Sequence, residues 1–313
     1  MLIYVILDGF DLGIGILLPW ANDQEKDVMV ASIGPFWDAN ETWLVLGIST
    51  LLVAFPIAHG IVLTSLYLPV ALMLLGIILR GVAFDFRVKA HDAHKPLWNK
   101  TFATGSWITA IAQGWMLGAY ITGFRSDFIA NIFCIGIAAT LPFAYALLGS
   151  GWLMMKTDGS VHDKAVRWAY RVLWPMLIAL IAITIATPII STTVFEKWFS
   201  LPNFIGLAPI PIMTAIAFWT LQHVLSRPQV IKAGYGWVVF ASTVLIFVLA
   251  FIGLAYSIYP YIVMDRLTVW QAASSTASLK FFLVGVIITL PAIIGYTIFV
   301  YRVFWGKSGA PHY

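Results

Sequence analysis

An all-helical, polytopic membrane protein of nine spanning helices is what this 313-residue sequence predicts, and three observations predict it. Hydrophobic residues make up 61% of the chain, charged residues only 10%, and mean hydropathy is +0.90, far above that of a soluble globular protein. The apolar residues gather into stretches of about 20, the length a helix needs to cross a bilayer. None of the stretches alternates like a barrel strand, and unpaired backbone groups cannot face lipid, so helices are required.

In order, the spans are expected at roughly 1–20, 38–57, 60–84, 103–123, 129–154, 171–193, 204–225, 237–259 and 280–304, within one membrane domain, 1–313. The first is short ahead of Asp8, and roughly a turn or more of further apolar residues is expected before Met1. The second opens on Trp37-Asp38-Ala39-Asn40-Glu41 and reaches the third through a short external turn around Pro56, His59 and Gly60, which holds no Lys or Arg. Pro69, Pro142, Pro188 and Pro291 punctuate later spans, where neighbouring helices accommodate kinks. Gly9 with Gly13, and Gly114 with Gly118, form small-residue faces for close helix approach. Trp20, Trp98, Trp174 and Trp198 are expected near span ends, at the membrane interface.

The 18 Lys and Arg set the orientation. Fourteen fall in connectors 1–2, 3–4, 5–6 and 7–8, the C-terminal tail, or, for Arg80, one turn inside the third span on the same side; Arg125, Lys197, Arg266 and Lys280 fall on the other. By the positive-inside rule the N-terminus is outside and the C-terminus cytoplasmic, as an odd number of spans requires.

Other classes are excluded on composition. Cys134 alone makes no intrachain disulfide and no thiolate cluster. The net charge of +4 is spread over short connectors and does not form a nucleic-acid-binding patch. The first stretch has no basic residue ahead of it and two Asp within it, unlike a cleavable signal. Only His59 and His223 lie near spans, at opposite membrane faces, so they cannot clamp one haem; His91, His94, His162 and His312 are expected to face water. The chain therefore either moves ions itself or serves a partner that holds the redox centres.

Deeply placed charge concentrates in the first three spans. Asp8 and Asp11 share a face with Gly15 at i, i+3 spacing, and Asp38 and Glu41 repeat that spacing on the second span. A charged group at bilayer depth costs roughly 2.5–3.5 kcal/mol on insertion scales, so such acids usually face a bundle interior and mark a proton or ion path. The two clusters are expected to line one funnel open to the cytoplasm, with Arg80 as cationic partner. The residues alone leave other readings open: Asp38 as a helix cap, Arg80 as a neutralising partner only, and Trp37 as an interface anchor. Capping does not account for Asp8 and Asp11 inside an apolar run.

The run Asp8-Gly9-Phe10-Asp11-Leu12-Gly13-Ile14-Gly15, followed by Ile33-Gly34-Pro35-Phe36-Trp37-Asp38-Ala39-Asn40-Glu41-Thr42-Trp43, resembles subunit II of cytochrome bd-type quinol oxidases. The resemblance continues through Ala54-Phe55-Pro56-Ile57-Ala58-His59-Gly60, Leu79-Arg80-Gly81-Val82-Ala83-Phe84-Asp85-Phe86-Arg87 and Gln113-Gly114-Trp115-Met116-Leu117-Gly118. The His59 and Gln113 segments look most like the cyanide-insensitive branch. Motifs cover about residues 4–125; beyond them the agreement is in span count and hydropathy.

The resemblance implies a heterodimer with a pseudo-symmetric subunit I in the bacterial cytoplasmic membrane. Subunit I would carry two b-type haems and a d-type or third b-type haem, and this chain would ligate none firmly. The complex would oxidise quinol and reduce dioxygen to water with protons from the cytoplasm. Carried over by motif, Asp8, Asp11, Asp38 and Glu41 form the proton path, with Asp38 relaying protons towards the subunit boundary; the family also shows Gln at the Glu41 position. Trp37, Asn40 and Arg80 serve interface and support. The resemblance leaves room for a structurally held quinone and a small accessory subunit. The rival reading is a proton-coupled secondary transporter using the same acids, although no pair of broken helices at midplane depth is visible. A third is a purely structural assembly subunit, in which neutralising the acids leaves turnover unchanged.

Overall fold

Apolar periodicity and capping residues build a succession of helices, described by a computed structural model for residues 1–308. They are α1 (Leu2–Leu17, extended by a 3-10 turn Leu18–Trp20), α2 (Asp23–Ile33), α3 (Trp37–Ala54), α4 (Pro56–Ser65), α5 (Tyr67–Lys89), α6 (Lys95–Ile121) and α7 (Phe128–Lys156). There follow α8 (Gly159–Ile190), α9 (Thr192–Phe199), α10 (Asn203–Leu207), α11 (Pro209–Leu225), α12 (Pro228–Val230) and, after an irregular turn at Ile231–Tyr235, α13 (Trp237–Ile258). A two-stranded antiparallel hairpin, β1 (Tyr261–Val263) and β2 (Leu267–Thr268), then α14 (Val269–Ala272) and α15 (Thr276–Val303) complete the described chain. The protein is an all-α polytopic membrane protein but for that small hairpin.

Among the described residues seven stretches are long and apolar enough to cross a membrane, where nine were expected. The two that fall short are α3, diluted by Asp38, Asn40, Glu41 and Thr42, and α6, diluted by Lys95, Asn99, Lys100 and Gln113. Both are long helices, and of these polar residues Asn40, Asn99 and Gln113 are buried while Asp38 and Lys100 are exposed.

Several boundaries move for physical reasons. Pro56, His59 and Gly60 do not form a turn: the chain breaks at Phe55 (φ −137°, ψ 59°) and Pro56 starts α4, so His59 and Gly60 are helical. The expected span 60–84 is interrupted at Leu66, and its second part runs on to Lys89. Arg80 therefore stands nine residues from the end of α5 instead of one turn. The helices α6 and α8 start well before their apolar stretches because their first turns are amphipathic. Val161, Ala165, Trp168 and Ala169 are buried between charged neighbours at helical spacing. Trp174 consequently lies within α8 and not at its end.

At the centre of the packing is α1, against α3, α6, α7 and α13. Its residues from Asp8 to Leu17 are all buried. The glycine faces are used as expected. A Cβ at Gly13 would fall within 1.8 Å of the Tyr145 carbonyl oxygen, and Gly114 and Gly118 abut the α7 backbone at Ala138 and Cys134. The amphipathic α2 is fastened beneath this core. Asn22 and Glu25 form a capping box, Glu25 accepts from Lys164 at 2.5 Å, and Asp27 pairs with Arg87 at 2.7 Å. Burial works to raise the Glu25 carboxyl, but the Lys164 and Asn22 hydrogen bonds outweigh it and hold the group below the usual carboxylate range.

Candidate functional site

The acids of the first span meet the second and third long helices at one buried cluster. The two acids of α1, Asp8 and Asp11, are fully buried, three residues apart and so on one face. From α5, Arg80, 1% exposed, reaches between α1 and α3, where one guanidinium nitrogen, Nη2, is shared by Asp8 Oδ1 and Glu41 Oε1. Asp11 takes a different partner, accepting from the Asn40 side-chain amide at 2.8 Å. The same amide nitrogen lies 3.3 Å from the Leu7 carbonyl oxygen, which ties the first turn of α3 to α1.

Two arms extend the cluster. Tyr301, on the last helix α15, donates its hydroxyl to Asn40 Oδ1 at 3.0 Å and so fixes which end of the amide faces Asp11. On the other side Tyr4, one turn before Asp8, accepts from Gln113 Nε2 at 2.7 Å, and Gln113 Oε1 accepts from Tyr145 at 2.6 Å. Sequence reasoning placed Gln113 in a motif without a role and missed Tyr4, Tyr145 and Tyr301. Tyr4 was readable from its i, i+4 relation to Asp8, whereas Tyr301 and Asn40 are 261 residues apart and nothing in the sequence links them.

The cluster is under-satisfied. Asp8 Oδ2, Asp11 Oδ1, and Arg80 Nε and Nη1 are buried without a hydrogen-bond partner among the described residues. Buried polar groups in native proteins nearly always find partners in protein or ordered water. Three carboxyl groups surround one guanidinium.

Asp38 stands apart from this group. It lies exposed in the first turn of α3, with no ion pair among the described residues. The helix begins after Phe36 with no side-chain cap bond, so Asp38 is not its cap and contributes only to the favourable charge at a helix N-terminus. Trp37 is half-buried, packed on Phe84 at a ring distance of 5.0 Å and over Gly81. Of the two expected acid pairs, Asp8, Asp11 and Glu41 come together with Asn40 and Arg80 in one cluster, and the Asp38 side chain does not join them.

The histidines are dispersed. His59 is half-buried in α4 and His223 lies tilted against Trp219 at a ring distance of 5.1 Å in the last turn of α11, while His91 and His94 are exposed. His162 departs from the expectation, since its Nδ1 is buried. His312 lies outside the described residues. Among the described residues no three His, Cys, Asp or Glu side chains gather as a metal site.

A buried arginine among three membrane acids is the geometry that a family match has to explain. The cytochrome bd terminal oxidase subunit II family model matches residues 1–304. This chain belongs to that family. Among the similar proteins, cytochrome bd ubiquinol oxidase subunit 2 of Bacillus subtilis is 28% identical over 324 residues, covering 96% of this chain and 91% of that protein. Cytochrome bd-I ubiquinol oxidase subunit 2 of Escherichia coli K12 is 23% identical over 347 residues, covering 97% and 91%. The solved bd oxidase of Geobacillus thermodenitrificans superposes with a TM-score of 0.72 over 96% of this chain and 94% of that one; at 16% identity this bears on fold alone. Family membership decides between the two functional readings for the terminal oxidase subunit and against the solitary transporter.

Proposed function

We propose that this subunit II carries protons from the cytoplasm towards the oxygen chemistry of a haem-bearing subunit I, in a complex that oxidises quinol and reduces dioxygen to water. The observation that supports the reading most is the buried Asp8–Glu41–Arg80 ion-pair group with Asp11 beside it. Carboxyls that outnumber their cation, with unpartnered buried oxygens, can accept and pass protons along ordered water where bulk water is absent.

In this reading Asp8, Asp11 and Glu41 form the inner path, and Arg80 and Asn40 hold it in register. Exposed Asp38 relays protons at the face covered by subunit I, with Trp37 packing beside that boundary and supporting haem retention. The place of the chain in a quinol-oxidising complex is supported by the names of the relatives, which are ubiquinol oxidase subunits. In this reading the b-type and d-type (or third b-type) haems belong to subunit I, and this chain ligates none of them firmly.

The remaining assignments follow the same reading. The complex sits in the bacterial cytoplasmic membrane, with this chain's N-terminus outside and C-terminus in the cytoplasm. All nine long helices cross the bilayer, α3 and α6 shielded by their neighbours, in one membrane domain. The His59 and Gln113 segments favour the cyanide-insensitive branch. A structurally held quinone and a small accessory subunit are compatible with the fold.

Purification of the complex through this chain, followed by a reduced-minus-oxidised spectrum, tests the reading. Haem bands and quinol-dependent oxygen consumption are expected; a colourless, solitary chain would contradict it. The boundary role of Asp38 is separable, because Asp38→Asn should lower oxygen consumption, haem content or both, and full turnover at normal haem content would remove Asp38 from the path.

A further inference from the structure

Away from the acid cluster, a cavity of about 530 Å³ lies where α7 ends, α8 begins and the Ile231–Tyr235 turn passes the end of α15. Trp152, Trp237 and Trp305 give it an apolar side, and Lys156, Lys232 and Lys307 bring three cations against one carboxylate, Asp158. Lys307 already pairs with Asp158 at 3.1 Å. Lys156 is different. It is 4% exposed, forms no ion pair among the described residues, and donates only to the carbonyl oxygens of Phe304 and Gly306, the latter at 3.0 Å. Its ammonium lies 5.1 Å and 5.4 Å from the ring centres of Phe36 and Trp152. Among the described residues this cation, removed from water and held by dipoles and ring faces, has no counter-charge.

Two more unfilled donors border the same cavity. His162, in its lining, has a buried Nδ1 with no hydrogen-bond partner among the described residues. Asp158 stands at the N-cap of the 32-residue α8 but makes no cap hydrogen bond, so the first-turn amides beside Gly159 remain available to another acceptor. Buried Lys156, Lys232 with no ion pair among the described residues, an imidazole and helix amides together call for an anion with several acceptor oxygens.

We propose that this cavity binds a phosphate-bearing anion, and that the headgroup of an acidic phospholipid supplies it. The lipid source is favoured by place and lining. The cavity lies at the ends of spans on the side richest in Lys and Arg, where basic pockets between helices take anionic headgroups, and tryptophans border it as they do at membrane interfaces. Phosphate oxygens accept from Lys232, His162 and the α8 amides, while Lys156 supplies the fixed counter-charge. Tyr301 lines the cavity and also holds Asn40 against Asp11, so a bound headgroup braces one wall of the acid cluster.

The test uses the assembled oxidase complex, purified in detergent and depleted of lipid, with thermal unfolding followed as phosphatidylglycerol, phosphatidylcholine or inorganic phosphate is added. Phosphatidylglycerol should raise Tm at concentrations where phosphatidylcholine does little. Lys232→Gln, an exposed position outside the acid cluster, should weaken that response roughly fivefold in lipid concentration, the share of one lysine at an anionic surface. Lys156→Gln should abolish it, and if that variant does not assemble, Lys232→Gln carries the test alone. A full response to inorganic phosphate keeps the anion site and replaces its lipid source. Equal protection by phosphatidylcholine, no response to either anion, or a response unchanged in Lys232→Gln would overturn the proposal.

Discussion

Arg80 and Arg87 lie seven residues apart on one face of α5, and both are nearly inaccessible, at 1% and 5% exposed. Their surroundings differ. Arg87 donates from Nε to Asn99 at 2.5 Å and from Nη2 to Asp27 at 2.7 Å, strapping α5 to α6 and to the capped helix α2. Arg80 spends one nitrogen on two carboxyls and leaves Nε and Nη1 buried without partners. A strap pairs its donors with acceptors. The cluster around Arg80 instead gathers three carboxyls about one cation and leaves polar atoms unpaired on both sides of the pair, an arrangement suited to changes in protonation and hydration and costly as a fastening alone.

Breaking the Arg80 side of this comparison has the largest expected effect. Arg80→Gln leaves buried Asp8 and part-buried Glu41 without their cation, which should cost about 3–5 kcal/mol and show as a lowered Tm and a poor yield of assembled complex. A variant with wild-type Tm would mean that the acids do not depend on Arg80. The strap should respond more mildly: Asn99→Ala removes one hydrogen bond to a charged group and should cost about 1.5–3 kcal/mol of thermal stability with turnover per assembled complex unchanged. Slowed turnover at full assembly would place Arg87 in the functional site and erase the distinction.

Tyr301→Phe sharpens the comparison from the far side of the cluster. It should cost about 1 kcal/mol and release the Asn40 amide that faces Asp11. If Asn40 positions Asp11, the pH profile of oxygen consumption shifts relative to the wild type, whereas a merely structural tyrosine lowers Tm and leaves the profile in place. Overpacking is an independent check on the frame that presents the acids. Gly13→Ala forces a methyl group into the α7 backbone at Tyr145 and should destabilise the complex by about 1–3 kcal/mol in thermal unfolding.

What could be read from the residues divides along the same line. Acids within an apolar run are anomalous in the sequence itself, so Asp8, Asp11, Glu41 and their cation Arg80 were legible from the residues alone. The glycine faces of α1 and α6 were legible for a similar reason, since small residues at four-residue spacing have a geometric meaning. The break at Leu66 was not, because it lies inside an apolar stretch where average hydropathy is blind to φ and ψ. The amphipathic starts of α6 and α8 were hidden by the charged residues that alternate with their buried face. Pairings across hundreds of residues, such as Tyr301 with Asn40, are set by packing alone. Asp38 shows the converse: it shares a motif and a spacing with Glu41, yet one turn of helix sends the two side chains to different surroundings.

Oxygen consumption by purified complex carrying Asp11→Asn, normalised to haem content and compared with the wild type at the same quinol concentration, tests the central claim most directly. With Asp11 on the proton path, turnover falls on the order of tenfold, equivalent to about 1.4 kcal/mol in the limiting barrier, while haem content stays at the wild-type level. Wild-type turnover at full haem content would show that protons reach the oxygen site without this carboxyl.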